Sequence, residues 1–182
     1  MARASEVTIR AERAGEEPAV RALVARAFGD PVVGALVDAL RGSWGWTDGL
    51  SIVGDRDGEL VGHVLFTRSW LDAPTRLVEI LVLSPLSVAP EHQGRGIGER
   101  LVREGLARLG GRPEPLVVLE GSPAYYRRFG FGPAGALGLR RPSTRIPADA
   151  FQAIALPAHA PWMTGTVVYA EPFWALDCVG LR

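Results

Sequence analysis

Three glycines at alternate positions, in Gln93-Gly94-Arg95-Gly96-Ile97-Gly98, follow an apolar run that ends at Pro90 and lead directly into an amphipathic segment. Free backbone N–H groups beside the positive end of a helix dipole suit a phosphate or pyrophosphate. Glycine lets such an anion approach the main chain closely. Arg95 would add a charged contact, and Glu99 would begin the helix. Downstream, Tyr125 and Tyr126 stand side by side. A phenol with an ordinary pKa of about 10 is protonated at neutral pH and can donate to a leaving group. Adjacent helical positions point about 100° apart, so only one of the two can face a given site.

Several chemistries are excluded by composition and spacing. All twenty basic residues are arginine, which a GC-rich codon bias accounts for most simply. Without lysine there is neither a Walker phosphate loop nor a pyridoxal Schiff base. The Rossmann fingerprint fails as well, because the glycines follow a proline in mid-chain and are spaced x-G-x-G-x-G. Cys178 is the single cysteine, and His63, His92 and His159 lack metal-ligand spacing, so no zinc site is expected. A net charge of zero recruits neither nucleic acid nor anionic membrane. Met1 to Glu6 lack a signal-peptide core and no apolar run approaches membrane-spanning length, which makes a cytoplasmic setting the expectation.

The elements that must position these residues follow from periodicity. Val7–Arg10 predicts a short strand, and Pro18–Phe28 and the segment ending at Gly42 predict two helices. Leu50–Val53 and Leu60–Phe66 flank Asp55-Arg56-Asp57-Gly58, a hairpin signal. A third strand runs from Leu77 through Val88, with a bulge or splay expected near Ser84-Pro85 because proline donates no ladder bond. A helix from Ile97, a buried strand at Pro115–Leu119 and a short helix at Ala124–Phe129 come next. Phe151–Leu156 and Thr166–Tyr169 predict the last strands. The order implies one domain over residues 1–182, of α/β class, with a mixed, mostly antiparallel central sheet flanked by helices.

Gln93–Gly98 resembles the Q/R-x-x-G-x-G/A signature of the GNAT superfamily of acyl-CoA-dependent N-acetyltransferases. Tyr126 to Gly130-Phe131 resembles a second signature of that family, a tyrosine four residues before a Gly-Phe pair. The specific motifs cover residues 83–131, and Leu86–Pro90 with Gly121–Tyr126 look closest to a bacterial subfamily of N-acetyltransferases with unassigned acceptors.

The resemblance implies acetyl-CoA as co-substrate and a primary amine, on a small molecule or peptide, as acceptor. It implies that the backbone of Leu86, Ser87 and Val88 receives the pantetheine arm, and that Gln93, Gly94, Arg95, Gly96, Ile97, Gly98 and Glu99 hold the pyrophosphate. Tyr126 becomes the general acid, with Tyr125 as its competitor. Glu79 resembles, by element but not by count, the strand carboxylate that some members use as base through water, while others use ordered water alone. Asp72, His63 and His92 are weaker bases. The first two helices and the last loop would form the acceptor pocket, with Trp44, Trp46, Trp162 and Met163 offering apolar surface there. A homodimer is the assembly the resemblance suggests. The alternative is an acyl-CoA sensor without turnover, which would have no need of an acid at Tyr126.

Overall fold

The computed structural model describes residues 6–180; Met1–Ser5, most of the segment without a signal core, and Leu181–Arg182 lie outside the described residues. Strand β1 (Thr8–Ala11) is followed by helices α1 (Glu17–Phe28) and α2 (Pro31–Arg41). Each helix carries a proline in its first turn, where the missing N–H has no helical partner to lose. Asp30 caps α2 by accepting the Val32 N–H at 2.9 Å.

Strands β2 (Ser51–Arg56), β3 (Glu59–Asp72) and β4 (Leu77–Val88) form an antiparallel meander around the expected hairpin. β3 outruns the predicted Phe66 because its second half gains another partner: Trp70–Asp72 pair with β9 (Gly165–Val168), far away in sequence. Helix α3 (Ile97–Ala107), strand β5 (Leu116–Glu120) and helix α4 (Pro123–Tyr126) lie close to their predicted places. Ser122 occupies the α4 cap position but its side chain makes no capping bond; its carbonyl accepts from Tyr125 and Tyr126 instead. Two-residue strands β6 (Gly132–Pro133) and β7 (Leu139–Arg140) precede β8 (Phe151–Ala155), and helix α5 (Glu171–Ala175) follows β9. The two short strands and α5 are too brief to leave a periodic signal in the sequence.

The sheet order is β1-β2-β3-β4-β5-β8-β6, with β9 also on β3 and β7 on β9. Among the described residues only β4–β5 and β7–β9 are parallel, so the sheet is mixed and mostly antiparallel. Both faces are covered. Helices α1 and α2 bury Val20, Val24, Leu36 and Val37 against Val53, Leu65 and Val82 on one side. Helix α3 buries Ile97, Leu101 and Val102 against Ile52, Val64, Phe66 and Leu81 on the other. No helix among the described residues is long and apolar enough to cross a membrane.

A polar thread runs under α1 and α2. The Ser51 hydroxyl donates a short bond to Glu12 and lies 2.9 Å from His63 Nε2, while Arg41 holds Glu12 at 2.7 Å. With Ser51 donating to Glu12, the proton of neutral His63 belongs on Nε2. His63 is fully buried, and burial followed by the Arg41 charge pushes its pKa down to about 3. Because the folded value lies below the ordinary 6.5, the unfolded chain takes up a proton on acidification that the folded chain refuses. Stability contributed by neutral His63 is therefore lost as pH falls through 6.5 toward 3, by at most about 1.4 kcal/mol per pH unit. Between pH 6.5 and roughly 4.5, above the ordinary carboxylate range, urea unfolding should show a steeper loss for the wild type than for His63→Gln. Equal slopes would mean that His63 is not held neutral.

Candidate active site

The site begins where two strands part. β4 and β5 pair at Leu81–Val117 and Val82–Val118 and nowhere beyond. On its other edge β4 stays paired with β3, but two residues, Ser84 and Pro85, stand opposite the single residue Leu65. This bulge, expected from the missing proline N–H, turns the strand away from β5. From Leu83 onward one edge of β4 is open. Ala89 N–H bonds back to Val61 on β3, so strand alternation aims the N–H groups of Leu86 and Val88 at the open edge. Ser87 points its buried side chain at the α1/α2 side beside His63 and presents no side-chain group to the opening.

The glycine loop lies at the end of this open edge. Gln93 ties it to the strand, its side-chain Nε2 donating to the Val88 carbonyl at 3.1 Å. Gly96 occupies the cap position of α3 with φ 78°, a left-handed conformation that glycine adopts without strain. The first main-chain bond of the helix runs from Arg100 N–H to the Gly96 carbonyl, which leaves the N–H groups of Ile97, Gly98 and Glu99 ahead of it. Gly94, Arg95 and Gly96 are exposed. The Glu99 carboxylate faces away from this role: Arg103 holds it at 2.8 Å and Arg128 lies 3.6 Å off. The hydrogen bond from Arg103, ahead of other causes, holds its pKa below the usual range.

A cavity of about 310 Å³ occupies the opening between β4 and β5. Leu83–Leu86 and Glu120 form its edges, Tyr126 closes one side, and Phe28, Val33, Leu36, Tyr169 and Phe173 wall the other. Tyr126 is buried against Phe131, ring centroids 5.9 Å apart, and burial pushes its hydroxyl well above the ordinary phenol value. Tyr125 does not line the cavity. Its hydroxyl lies against Gly98 at the start of α3, and Arg128 covers its ring at 4.8 Å. The two tyrosines thus diverge as helical geometry demands.

Glu79 is not brought to this site. It lies opposite Trp70 near the start of β4, 3.7 Å from Arg68, and five residues before Ser84. At about 3.3 Å per residue that is roughly 17 Å along the strand. The carboxylate that does enter the cavity is Glu120, the last residue of β5. Burial raises its pKa above the usual carboxylate value, opposed by the neighbouring Tyr169 hydroxyl, the Gly180 N–H at 3.0 Å and the Arg145 charge. Tyr169 is itself pushed up by burial and by Glu120, although the two close no hydrogen bond of normal length. The sequence carried a signal for Glu120: an acid ending the apolar run Leu116–Leu119, at the carboxyl end of a strand where α/β sheets bind ligands.

The aromatic residues expected around the acceptor are elsewhere too. Trp44 stacks on Trp70 at 5.0 Å, Trp46 lies under Arg41, Trp162 under Arg76, and Met163 is in the core. Among the weaker bases, His63 is sealed beneath the helices and Asp72 is exposed at the far end of β3. His92 brings a ring nitrogen within 4.8 Å of Glu59 and Glu91 carboxylates, a grouping that spans too much sequence for spacing to find. Both carboxylates are exposed, and Glu91 is already paired with Arg26 at 3.1 Å.

A family model described as an acetyltransferase (GNAT) domain matches residues 8–134. The chain belongs to the GNAT family of acetyltransferases. It is 34% identical over 157 residues to the uncharacterized N-acetyltransferase YjhQ of Escherichia coli, covering 84% of this chain and 86% of that one. With the uncharacterized N-acetyltransferase YhbS of the same organism it shares 35% over 168 residues, 91% of this chain and 97% of the relative. The crystal structure of YhbS in complex with CoA superposes with a TM-score of 0.84 at 32% identity, over 95% of this chain and 94% of that one. A GNAT acetyltransferase from Brucella melitensis in complex with acetyl-CoA gives 0.75 at 33% identity, over 93% and 99%. The GNAT match spans the open strand edge, the glycine loop and both tyrosines, and ends before β8, β9 and α5.

The loop geometry is testable by itself. A Cβ on Gly96 would meet nothing within 4 Å, so Gly96→Ala carries only the left-handed backbone strain, about 1–2 kcal/mol. Urea denaturation should show that loss with an unchanged m-value, and a neutral substitution would place the loop in another conformation.

Proposed function

We propose that this chain forms one domain that transfers an acetyl group from acetyl-CoA to a primary amine, the cleft between β4 and β5 being the reaction site. The observation that carries this reading is the open edge of β4 running from a buried tyrosine to a helix N-terminus. The residues present fit the co-substrate. Leu86 and Val88 N–H groups can bond the pantetheine amides as a neighbouring strand would. The N–H groups from Gly94 to Gly98 suit the pyrophosphate. Two relatives of this chain have been solved with CoA and with acetyl-CoA, which favours the same ligand here.

Transfer begins with a neutral amine. An alkylammonium of pKa about 10.4 is less than 0.1% neutral at pH 7, so a proton acceptor speeds the reaction. In this reading Glu120, directly or through one water, removes that proton; Glu79 lies too far along β4 to do so. The amine nitrogen forms its bond to the thioester carbonyl carbon, assisted by a β4 N–H aimed at the carbonyl oxygen. The C–S bond then breaks, and the sulfur receives the Tyr126 hydroxyl proton. Burial favours the protonated form of that hydroxyl. After attack the nitrogen still carries one proton more than the amide. That proton passes through water to the Tyr126 oxygen once the thiol has taken the hydroxyl proton, and Glu120 releases its own to solvent. The net change is ammonium plus acetyl-CoA to amide, CoA thiol and one proton.

Thiol release from acetyl-CoA, followed with an accepted amine, should fall by about 10²-fold or more in Tyr126→Phe, while CoA affinity measured by calorimetry stays within a fewfold. Full rate in Tyr126→Phe would remove the acid assignment. For Glu120, the base works when ionised and its pKa is raised, so kcat/KM should decline as pH falls through a midpoint above the ordinary 4.5. Glu120→Gln should lower kcat/KM and abolish that acidic limb; an unaltered pH profile would show that another group takes the proton.

A further inference from the structure

The composition of the cavity wall bears on what the acceptor is. On the α1/α2 side it presents Phe28, Val33 and Leu36, and from the C-terminal elements Phe173 and Tyr169. Among the described residues that line it, Glu120 is the one carboxylate, and none is an arginine or a histidine. Arg145, the cation that acts on Glu120 from nearby, is held by Asp177. A single half-buried carboxylate can compensate one ammonium. A second ammonium would have to give up water with no second carboxylate among the described lining residues.

The size is consistent with the same conclusion. An apolar cavity of about 150 Å³ holds a benzene ring, and this one measures about 310 Å³. That leaves space for one ring or a branched chain beside the reacting carbonyl. Phe28, at the C-terminal end of α1 and 48% exposed, stands at the mouth. Its ring would meet whatever part of the acceptor lies furthest from the amine.

We propose that the acceptor is a monocationic primary amine on an aromatic or branched aliphatic body, its ammonium on Glu120 and its apolar group against Phe28, Val33, Leu36 and Phe173. Polyamines, aminoglycoside-like amines and lysine side chains of charged peptides are disfavoured. This rests on the proposed acetyl transfer in the β4/β5 cleft. The contacts that select the acceptor come from α1, α2 and the C-terminal elements, whereas those that would hold the coenzyme come from β4 and α3.

The test is steady-state thiol release from acetyl-CoA with propylamine, butylamine, hexylamine and 2-phenylethylamine, set against putrescine, spermidine and a lysine-containing peptide. Along the alkyl series kcat/KM should rise about fourfold per methylene, as expected for burial of that group. 2-Phenylethylamine should exceed putrescine and the peptide by at least tenfold. Phe28→Glu changes an exposed position, so folding is retained, and it adds the second carboxylate that a diamine needs. It should lower kcat/KM for 2-phenylethylamine and raise it for putrescine, with CoA affinity by calorimetry unchanged. The acceptor proposal is overturned if the diamine or the peptide is the better substrate. It is overturned equally if no apolar amine reacts while acetyl-CoA binds, in which case the coenzyme site stands. Failure of acetyl-CoA to bind at all would remove the underlying reading as well.

Discussion

Strands β4 and β5 pair at Leu81–Val117 and Val82–Val118, and then separate around the bulge at Ser84-Pro85. A parallel pair inside a sheet would ordinarily continue, because each unpaired buried N–H or carbonyl is unfavourable. Here β3 keeps hold of β4 through Val88, so the strand stays rigid while its other edge is exposed. The opening crosses the full thickness of the sheet. One side of it belongs to α3 and α4, with the glycine loop and Tyr126; the other belongs to α1, α2 and α5. Residues from both faces of the sheet therefore line the same cavity.

The electrostatics of the cavity follow from burial more than from charge pairs. Glu120, Tyr126 and Tyr169 are all shifted toward their protonated forms, in each case with desolvation as the leading cause. Elsewhere the arginines neutralise carboxylates: Arg10 with Glu16 and Asp55, Arg41 with Glu12, Arg103 with Glu99. Keeping those pairs outside the cleft leaves the groups within it with unmatched proton affinities, a condition that acid–base chemistry uses. Glu120 accepts one backbone N–H, from Gly180, and lines the cavity beside the Tyr169 hydroxyl.

Much of the frame was legible in local sequence. The alternation around Asp57-Gly58, the helical spacing from Ile97 and the proline at position 85 each act within a few residues, and each produced the element it implies. The placement of Glu79 and of the tryptophans was not legible in the same way. Glu79 is on the expected strand, but strand identity does not say how far a residue lies from the bulge, and Arg68 and Trp70 meet it from β3. Trp44 follows α2 as expected yet stacks on Trp70, because β3 extends to pair with β9 and carries Trp70 to that spot.

The loop Gln93–Gly98, the break at Ser84-Pro85 and the divergence of Tyr125 from Tyr126 are local properties, since each depends on residue type and on spacing within a turn or two of chain. Which carboxylate shares the cavity with Tyr126, and what walls the other side of the cleft, depend on long-range packing. Glu120, Tyr169 and Phe173 come from separate elements and are assembled by the pairing of β5 with β8 and β3 with β9 and by the packing of α5. Those contacts join residues tens of positions apart, and periodicity carries no information over that range.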